Sequence, residues 1–250
     1  MINLKTTREL RYMRDAGKIS QEALLKAGEA VRPGVSTLEL DKIVRRTIEK
    51  AGAVPSFLGY GGFPASACIS VNNVVIHGIP SAHEILKEGD IVSIDVGAIY
   101  EGFNGDNAWT FPCGKVSEEA QKLMDATRES LFLAIEKAVP GNRIGDIGSA
   151  VPQSVEARNY SVVREFVGHG VGAKLHEDPS VPNYGTPGRG VRLLPGMTIA
   201  IEPMVTQGSC EVKILKDGWT TVTKDGKLAA HFEHSIAITP DGPVILTSLD

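Results

Sequence analysis

The stretch "IDVGAIYEGFNGD" sets Asp95 and Asp106 eleven residues apart among residues that favour β-structure. Val, Ile, Tyr and Phe on either side of "YEG" predict two strands joined by a tight turn. With the turn centred on Tyr100 and Glu101, the two aspartates face each other directly across the ladder, with Cβ atoms about 4.5–5.5 Å apart. Like charges that close destabilise a sheet unless a shared proton, a basic side chain or a metal ion compensates.

Two more acids, Glu202 in "GMTIAIEPM" and Glu233 in "AAHFEHSIAIT", belong to the same problem. Pro33-Gly34 and Pro140-Gly141 lie 107 residues apart, as do Glu39-Leu40 and Asp146-Ile147. Gly89 with Asp95 matches Gly196 with Glu202 at that same offset of 107. A shared offset at three places points to an internal duplication, with halves of about 1–110 and 111–250. Coincidence among common Pro-Gly and Gly-x-x-Ile patterns is the plainer alternative. If the halves face each other, Asp95 and Glu202 come from equivalent strands, and Asp106 and Glu233 each add an acid from a later strand.

Four anionic carboxylates cannot share a buried site without cations. Their charge is enough for two divalent ions, and His169 in "VGHGVG" fits as a nitrogen donor. Imidazole with carboxylates suits Mn, Fe, Co, Zn or Ni rather than Ca. His77 in "VVIHGIP" and His176 in "KLHEDPS" occupy similar H-x-x-P contexts in opposite halves. Taken alone, Asp95 reads as a solvated or turn acid, and His83 in "SAHEILKEG" as a surface residue. His231 and His234 are open. "GHGVG" lacks the full dinucleotide-binding fingerprint. Cys68, Cys113 and Cys210 lack metal-site spacing and read as small packing residues.

The elements that position these residues follow from capping and periodicity. Thr6 with Glu9 opens a helix over "TTRELRYMRDAGKISQEALLKAGEAV"; Ser36 with Glu39 opens another that stops at Gly52. "SEEAQKLMDATRESLFLAIEKAV" reads as a strong helix, and "RIGDIGSAVPQSVEARN" as a weaker one that Pro152 kinks or delays. Strand-like runs include "ACISVNNVVIHG", "SVVREFVGHGVG", "MTIAIEPMV", "WTTVTKDGKLAAHFE" and "HSIAIT". A Pro- and Gly-rich loop is expected from about Asp178 to Gly196, with turns at Asp217-Gly218 and Asp225-Gly226.

A chain of 250 residues can form one large core, and a net charge of −4 gives no electrostatic case for nucleic acid. Three cysteines without close spacing argue for a reducing compartment. The polar start "MINLKTTREL" lacks a signal-peptide core, and no apolar run of about 18 residues predicts a membrane span. A cytosolic globular protein is the expectation.

Together, "GYGGFPASACISVNNVVIHGIP", "GDIVSIDVGAIYEGFNGD", "EFVGHGVGAKLHEDPSVPNYG", "LPGMTIAIEPM" and "FEHSIAIT" resemble type I methionine aminopeptidases, in order and over nearly the whole chain. The resemblance is to the short bacterial form, which has no N-terminal zinc-finger extension. It implies an α+β pita-bread fold: a single metallopeptidase domain whose two pseudo-symmetric halves surround a curved, mostly antiparallel sheet with helices outside. It implies two divalent ions, with Asp95 on one, Asp106 and Glu233 bridging, and His169 and Glu202 completing the other. The implied reaction removes N-terminal methionine ahead of a small second residue, through a hydroxide bridging the two ions. Glu202 would shuttle the proton, His176 would hydrogen-bond the oxyanion, and His77 would contact the scissile amide. Tyr60, Phe63, Cys68 and Trp219 would form the methionine pocket, with Phe57 and Leu175 at positions that vary among relatives. Asn107 departs from the pattern, in which Thr often follows the bridging aspartate. The implied partners are the N-termini of newly made proteins near the ribosome, met in the cytoplasm by a monomer without specific nucleic acid or membrane binding. A proline-directed peptidase of the same fold and a non-catalytic binding relative are the alternatives. The first usually carries an extra N-terminal domain, and the second loses metal ligands.

Overall fold

In the computed structural model, which describes residues 2–249, the capping signals set the starts of the helices. α1 (Thr7–Glu29) and α2 (Thr37–Lys50) each begin at a complete capping box, which satisfies N–H groups that a helix start otherwise leaves free. α3 (Glu118–Glu136) starts at Ser117, whose hydroxyl accepts the Ala120 N–H. α4 (Ile144–Val155) contains Pro152 yet begins at Ile144, so the expected delay does not occur. Pro152 falls in the last turn of α4, where it forgoes one bond, to the Gly148 carbonyl, and leaves the start of the helix intact.

Between the helix pairs run β1 (Val54–Pro55), β2 (Ala67–Val71), β3 (Val74–Ile76), β4 (Ile91–Tyr100) and β5 (Phe103–Pro112). After α4 come β6 (Ser161–Val162), β7 (Gly168–Gly170), β8 (Glu177–Val181), β9 (Thr198–Ile201) and β10 (Met204–Thr206). The chain ends with β11 (Val212–Ile214), β12 (Thr221–Thr223), β13 (Ala229–His231), β14 (Glu233–Thr239) and β15 (Gly242–Ile245). β8 lies partly inside the segment expected to be loop from Asp178. It is an edge strand, where Pro179 is tolerated because an edge residue can leave its ladder position unbonded.

Nine strands form one antiparallel sheet along the path β1-β4-β5-β14-β9-β7-β8, with β2 added at β4 and β15 at β14. The sheets β13-β10-β6 and β11-β12-β3 complete the β-structure. Alternation along β4 decides what each face carries. Val92, Ile94, Val96 and Ala98 pack with Leu24 of α1 and with Leu40 and Val44 of α2. Asp95 and Gly97 are left on the opposite face. In the second half, Leu123 and Leu131 of α3 and Ile147 and Val151 of α4 cover Ile199, Ile201 and Ile236. Both helix pairs thus occupy the outside of the sheet. Finer details recur at one spacing: the isolated bridge Ser36–Ile85 has a counterpart in Arg143–Arg192, 107 residues on.

The β4–β5 hairpin corrects one expectation. Its turn residues are Glu101, at φ 50°, and Gly102, at φ 80°, while Tyr100 pairs with Phe103. Two successive left-handed residues make a tight hairpin turn, a conformation that suits Gly and disfavours an aromatic such as Tyr100. Asp95 therefore pairs with Ala108 and Asp106 with Gly97. The aspartates share a face as diagonal neighbours and are not directly opposed.

Candidate active site

Five adjacent strands each deliver one side chain to a single cavity. Asp95 lies on β4, Asp106 on β5, Glu233 at the start of β14, Glu202 just after β9, and His169 on β7. Both glutamates sit where the chain changes sheets: Glu202-Pro203 links β9 to β10, and Phe232 links β13 to β14. The Ser235 hydroxyl fixes the Asp106 backbone, donating to its carbonyl at 2.7 Å and accepting its N–H at 3.2 Å. The Asn183 amide holds the Glu202 carbonyl at 2.9 Å. The small neighbours of His169 are required by close approach. A Cβ on Gly168 would lie 2.4 Å from the Ala200 carbonyl oxygen, and one on Gly170 2.2 Å from that of Asp178.

The hydrogen bonding of His169 fixes its tautomer. Nδ1 lies 2.8 Å from the Gly170 carbonyl, which can only accept, so Nδ1 carries the proton and Nε2 a lone pair. Nε2 lies 3.6 Å from Asp106 Oδ2 and 3.5 Å from Glu202 Oε1. Burial, aided by His176, pushes the imidazole down to about 4. These contacts are therefore not ion pairs at neutral pH: a lone pair faces carboxylate oxygens. Burial raises Asp95, Glu202 and Glu233 well above the usual carboxylate range, and the charges of neighbouring acids add to the effect. Burial raises Asp106 too.

Asp95 Oδ1, Asp106 Oδ1 and Glu233 Oε1 are buried without a hydrogen-bond partner. Each such group costs on the order of 1–3 kcal/mol. Among the described residues no Lys or Arg lines the cavity, so a basic side chain does not compensate. One ligand atom each from Asp106, His169 and Glu233 lie within 4.8 Å of one another. Orphaned carboxylate oxygens beside an imidazole whose far N–H is held by a carbonyl form a donor set that fits divalent cations.

The cavity, about 200 Å³, runs from the acids to an apolar end. Phe57, Tyr60, Phe63, Cys68, Leu175 and Trp219 line it, as do His77 and His176. Phe63 meets Trp219 edge-on at 5.2 Å. Cys68 is the β2 partner of Asp95, so acids and apolar end share a wall. A Cβ on Gly97 would come within 2.7 Å of the Phe57 ring, which explains a glycine directly across from Asp106. The His176 ring stands 4.2 Å from that of His169, and its Nδ1 lies 2.6 Å from the Tyr60 hydroxyl. Burial lowers His77 to about 4 and lowers His176 as well, so both are neutral at physiological pH.

Every residue expected at the site lines this cavity. His83 is exposed. His234 is buried and bonded to Thr247 at 2.8 Å, and His231 is buried 3.8 Å from Glu202. The three cysteines are free. Asn107 points to the other face and donates to Gln21 of α1 at 2.5 Å, so its departure from the family pattern leaves the acid face unchanged. Phe166 and Ile76 also line the cavity and were not expected there. The aromatic three residues before His169, in one strand-like run, was the available signal for Phe166.

The model of metallopeptidase family M24 matches residues 11–240. The chain is 59% identical to the methionine aminopeptidase of Clostridium perfringens, over 99% of each chain. The crystal structure of methionine aminopeptidase from Thermotoga maritima matches with a TM-score of 0.98 at 47% identity, covering 99% of this chain and 100% of that one. Prolidase from Pyrococcus furiosus shares the fold, with a TM-score of 0.79 at 24% identity over 99% of this chain and 66% of its own. The antiparallel sheet with helices outside is thus the pita-bread fold, and the chain belongs to metallopeptidase family M24 and, within it, to the methionine aminopeptidases.

Proposed function

We propose that this chain removes N-terminal methionine from peptides and newly made proteins whose second residue is small, using two divalent ions. The observation that carries this reading is the set of buried acceptors without partners, Asp95 Oδ1, Asp106 Oδ1 and Glu233 Oε1, beside the Nε2 lone pair of His169. Strand order supports the division of labour: Asp95 at one end would serve one ion, Glu202 and His169 at the other end the second, and Asp106 and Glu233 both. Mn, Fe, Co, Zn and Ni all suit these donors. Such ions supply Lewis acidity and an acidified water.

The chain's own residues do the remaining work. Glu202, raised by burial, accepts the proton of the attacking water and returns it to the leaving amine. With the Tyr60 hydroxyl donating to His176 Nδ1, His176 keeps a proton on Nε2 for the developing oxyanion. His77 contacts the scissile amide. Phe57, Phe63, Cys68 and Trp219 exclude water and receive a flexible thioether side chain. A free α-amine presented to the acid cluster limits cleavage to chain ends.

The recurring bridges at a spacing of 107 support a single domain duplicated as about 1–110 and 111–250. The proposed working form is the monomer. The proposed setting is the cytoplasm, on nascent N-termini near the ribosome; no described helix is long and apolar enough to cross a membrane. The test is cleavage of Met-Ala-Ser and of an x-Pro peptide after chelation and restoration with single metals. Metal-restored methionine release is expected; x-Pro cleavage without methionine release would overturn the reading.

A further inference from the structure

Asn104 is buried on β5, two residues before Asp106, and its side chain joins two segments from opposite halves of the chain. Its Oδ1 accepts from the Ser56 hydroxyl at 2.9 Å. Its Nδ2 donates to the carbonyls of Gly172, at 3.0 Å, and Ala173, at 3.3 Å. The Asn104 backbone N–H donates to Gly172 as well, at 2.9 Å. Ser56 directly precedes Phe57 in the cavity wall, and Gly172 and Ala173 lead into Leu175 and His176. The segment between β7 and β8 has no strand of its own to hold it. Its far end is tied by the buried Lys5–Glu177 ion pair at 2.5 Å. Its near end is held at Val171 by Thr198, which bonds both its N–H and its carbonyl, and at Gly172 and Ala173 by Asn104.

We propose that Asn104 is a positioning residue that ties both the Ser56–Phe57 segment and the Gly172–His176 segment to the strand carrying Asp106. Pocket wall and oxyanion donor thereby keep a fixed relation to the acid cluster. The proposal rests on the roles given above to Phe57 and His176. Only a carboxamide meets the demand, because one end must accept from a hydroxyl while the other donates to two carbonyls. Asp at this position keeps the acceptor toward Ser56 and turns the other end into an acceptor facing two acceptors. Ser56→Ala removes the pocket arm alone.

The experiment measures kcat and KM on Met-Ala-Ser for Asn104→Asp, Ser56→Ala, His176→Ala and the Asn104→Asp/His176→Ala double variant. Metal content is measured in each, and amide hydrogen exchange is followed across residues 171–176. Asn104→Asp should lower kcat by about 10–100-fold, the scale of a slightly misplaced catalytic group. Its metal content should be unchanged, and exchange at Val171, Gly172 and Lys174, the hydrogen-bonded amides of the segment, should be faster. In the His176→Ala background the further loss should vanish, because both changes act on one step. Ser56→Ala should chiefly raise KM. Additive losses in the double variant, or a lowered Tm with kcat and exchange unchanged, would overturn the proposal. If Asn104→Asp does not fold, unchanged KM and unchanged preference for Met over Leu in Ser56→Ala overturns it instead. Full kcat in His176→Ala would mark a failure of the role given to His176, and the exchange data would still decide whether Asn104 holds the segment.

Discussion

Asp95 and Glu233 flank the same residue: Ala108 pairs with Asp95 across β4–β5 and with Glu233 across β5–β14. Cross-strand partners share a face, so the Ala108 methyl points the same way as both carboxylates, and it is fully buried. Ala108→Val inserts bulk between the acids without removing a donor. Overpacking of this kind costs about 1–3 kcal/mol, so metal affinity should fall about 10-fold or more, with excess metal partly restoring activity. Calorimetric titration checks this. Unchanged affinity would mean that the two acids do not close on a common centre.

Asp106→Asn tests the acid placed between the ends of the row. It keeps the shape and the backbone bonds to Ser235 but removes a charge proposed to serve both ions. Affinity for both should fall and activity should be lost, with an unchanged circular dichroism spectrum. Full activity with two bound ions would remove Asp106 from the ligand set.

Much of this site is legible in the sequence because its signals are local. Capping boxes fix α1 and α2, and the spacing between Asp95 and Glu202 matches the spacing between equivalent strands. The hairpin register is less legible, because it turns on whether Tyr100-Glu101 or Glu101-Gly102 adopts the left-handed pair. Gly102 was the clue. The site is the same in either register, because moving the turn centre by one residue shifts the pairing by two and preserves the face. The Asn104 bonds are illegible for another reason. Their acceptors are backbone carbonyls 68 and 69 residues away, and a carbonyl has no sequence signature.

His176 and His169 separate catalysis from metal binding although their rings touch. His176→Ala should leave metal content intact and lower kcat by about 10²–10³, the usual loss for one oxyanion donor. His169→Ala removes a ligand, so extra metal should partly rescue it. Measuring kcat across a metal titration distinguishes them; rescue of His176→Ala by metal would refute its assigned role.

Trp219 is packed edge-on against both Phe63 and His77 at the apolar end and is only partly buried. Trp219→Ala should change the preference for Met over Leu more than it changes Tm. A large fall in Tm with unchanged preference would assign the ring to ordinary packing.

Metal removal should have a pH signature set by the acids. Burial, with charge repulsion among the acids, raises Asp95, Glu202 and Glu233, so the folded metal-free chain holds their protons more tightly than the unfolded chain does. The stability this contributes is fully present below the unfolded carboxylate value of about 4 and is lost as pH rises through the folded values. The metal-free protein is therefore progressively weakened by its own acids as pH rises above the unfolded value, and Asp106, raised by burial to about 7, titrates between pH 6 and pH 8. Divalent ions compete with protons for those oxygens, so their stabilising effect grows over the same interval. His77 and His231, lowered by burial, destabilise the fold as pH falls below the unfolded histidine value of about 6.5. His169 is neutral in both forms throughout this range, since its value lies near 4. The gain in Tm on restoring metal to chelated protein should consequently be larger at pH 8 than at pH 6, measured by scanning calorimetry at fixed free metal. A gain that is equal at the two values, or larger at pH 6, would show that these carboxylates are not what the ions bind.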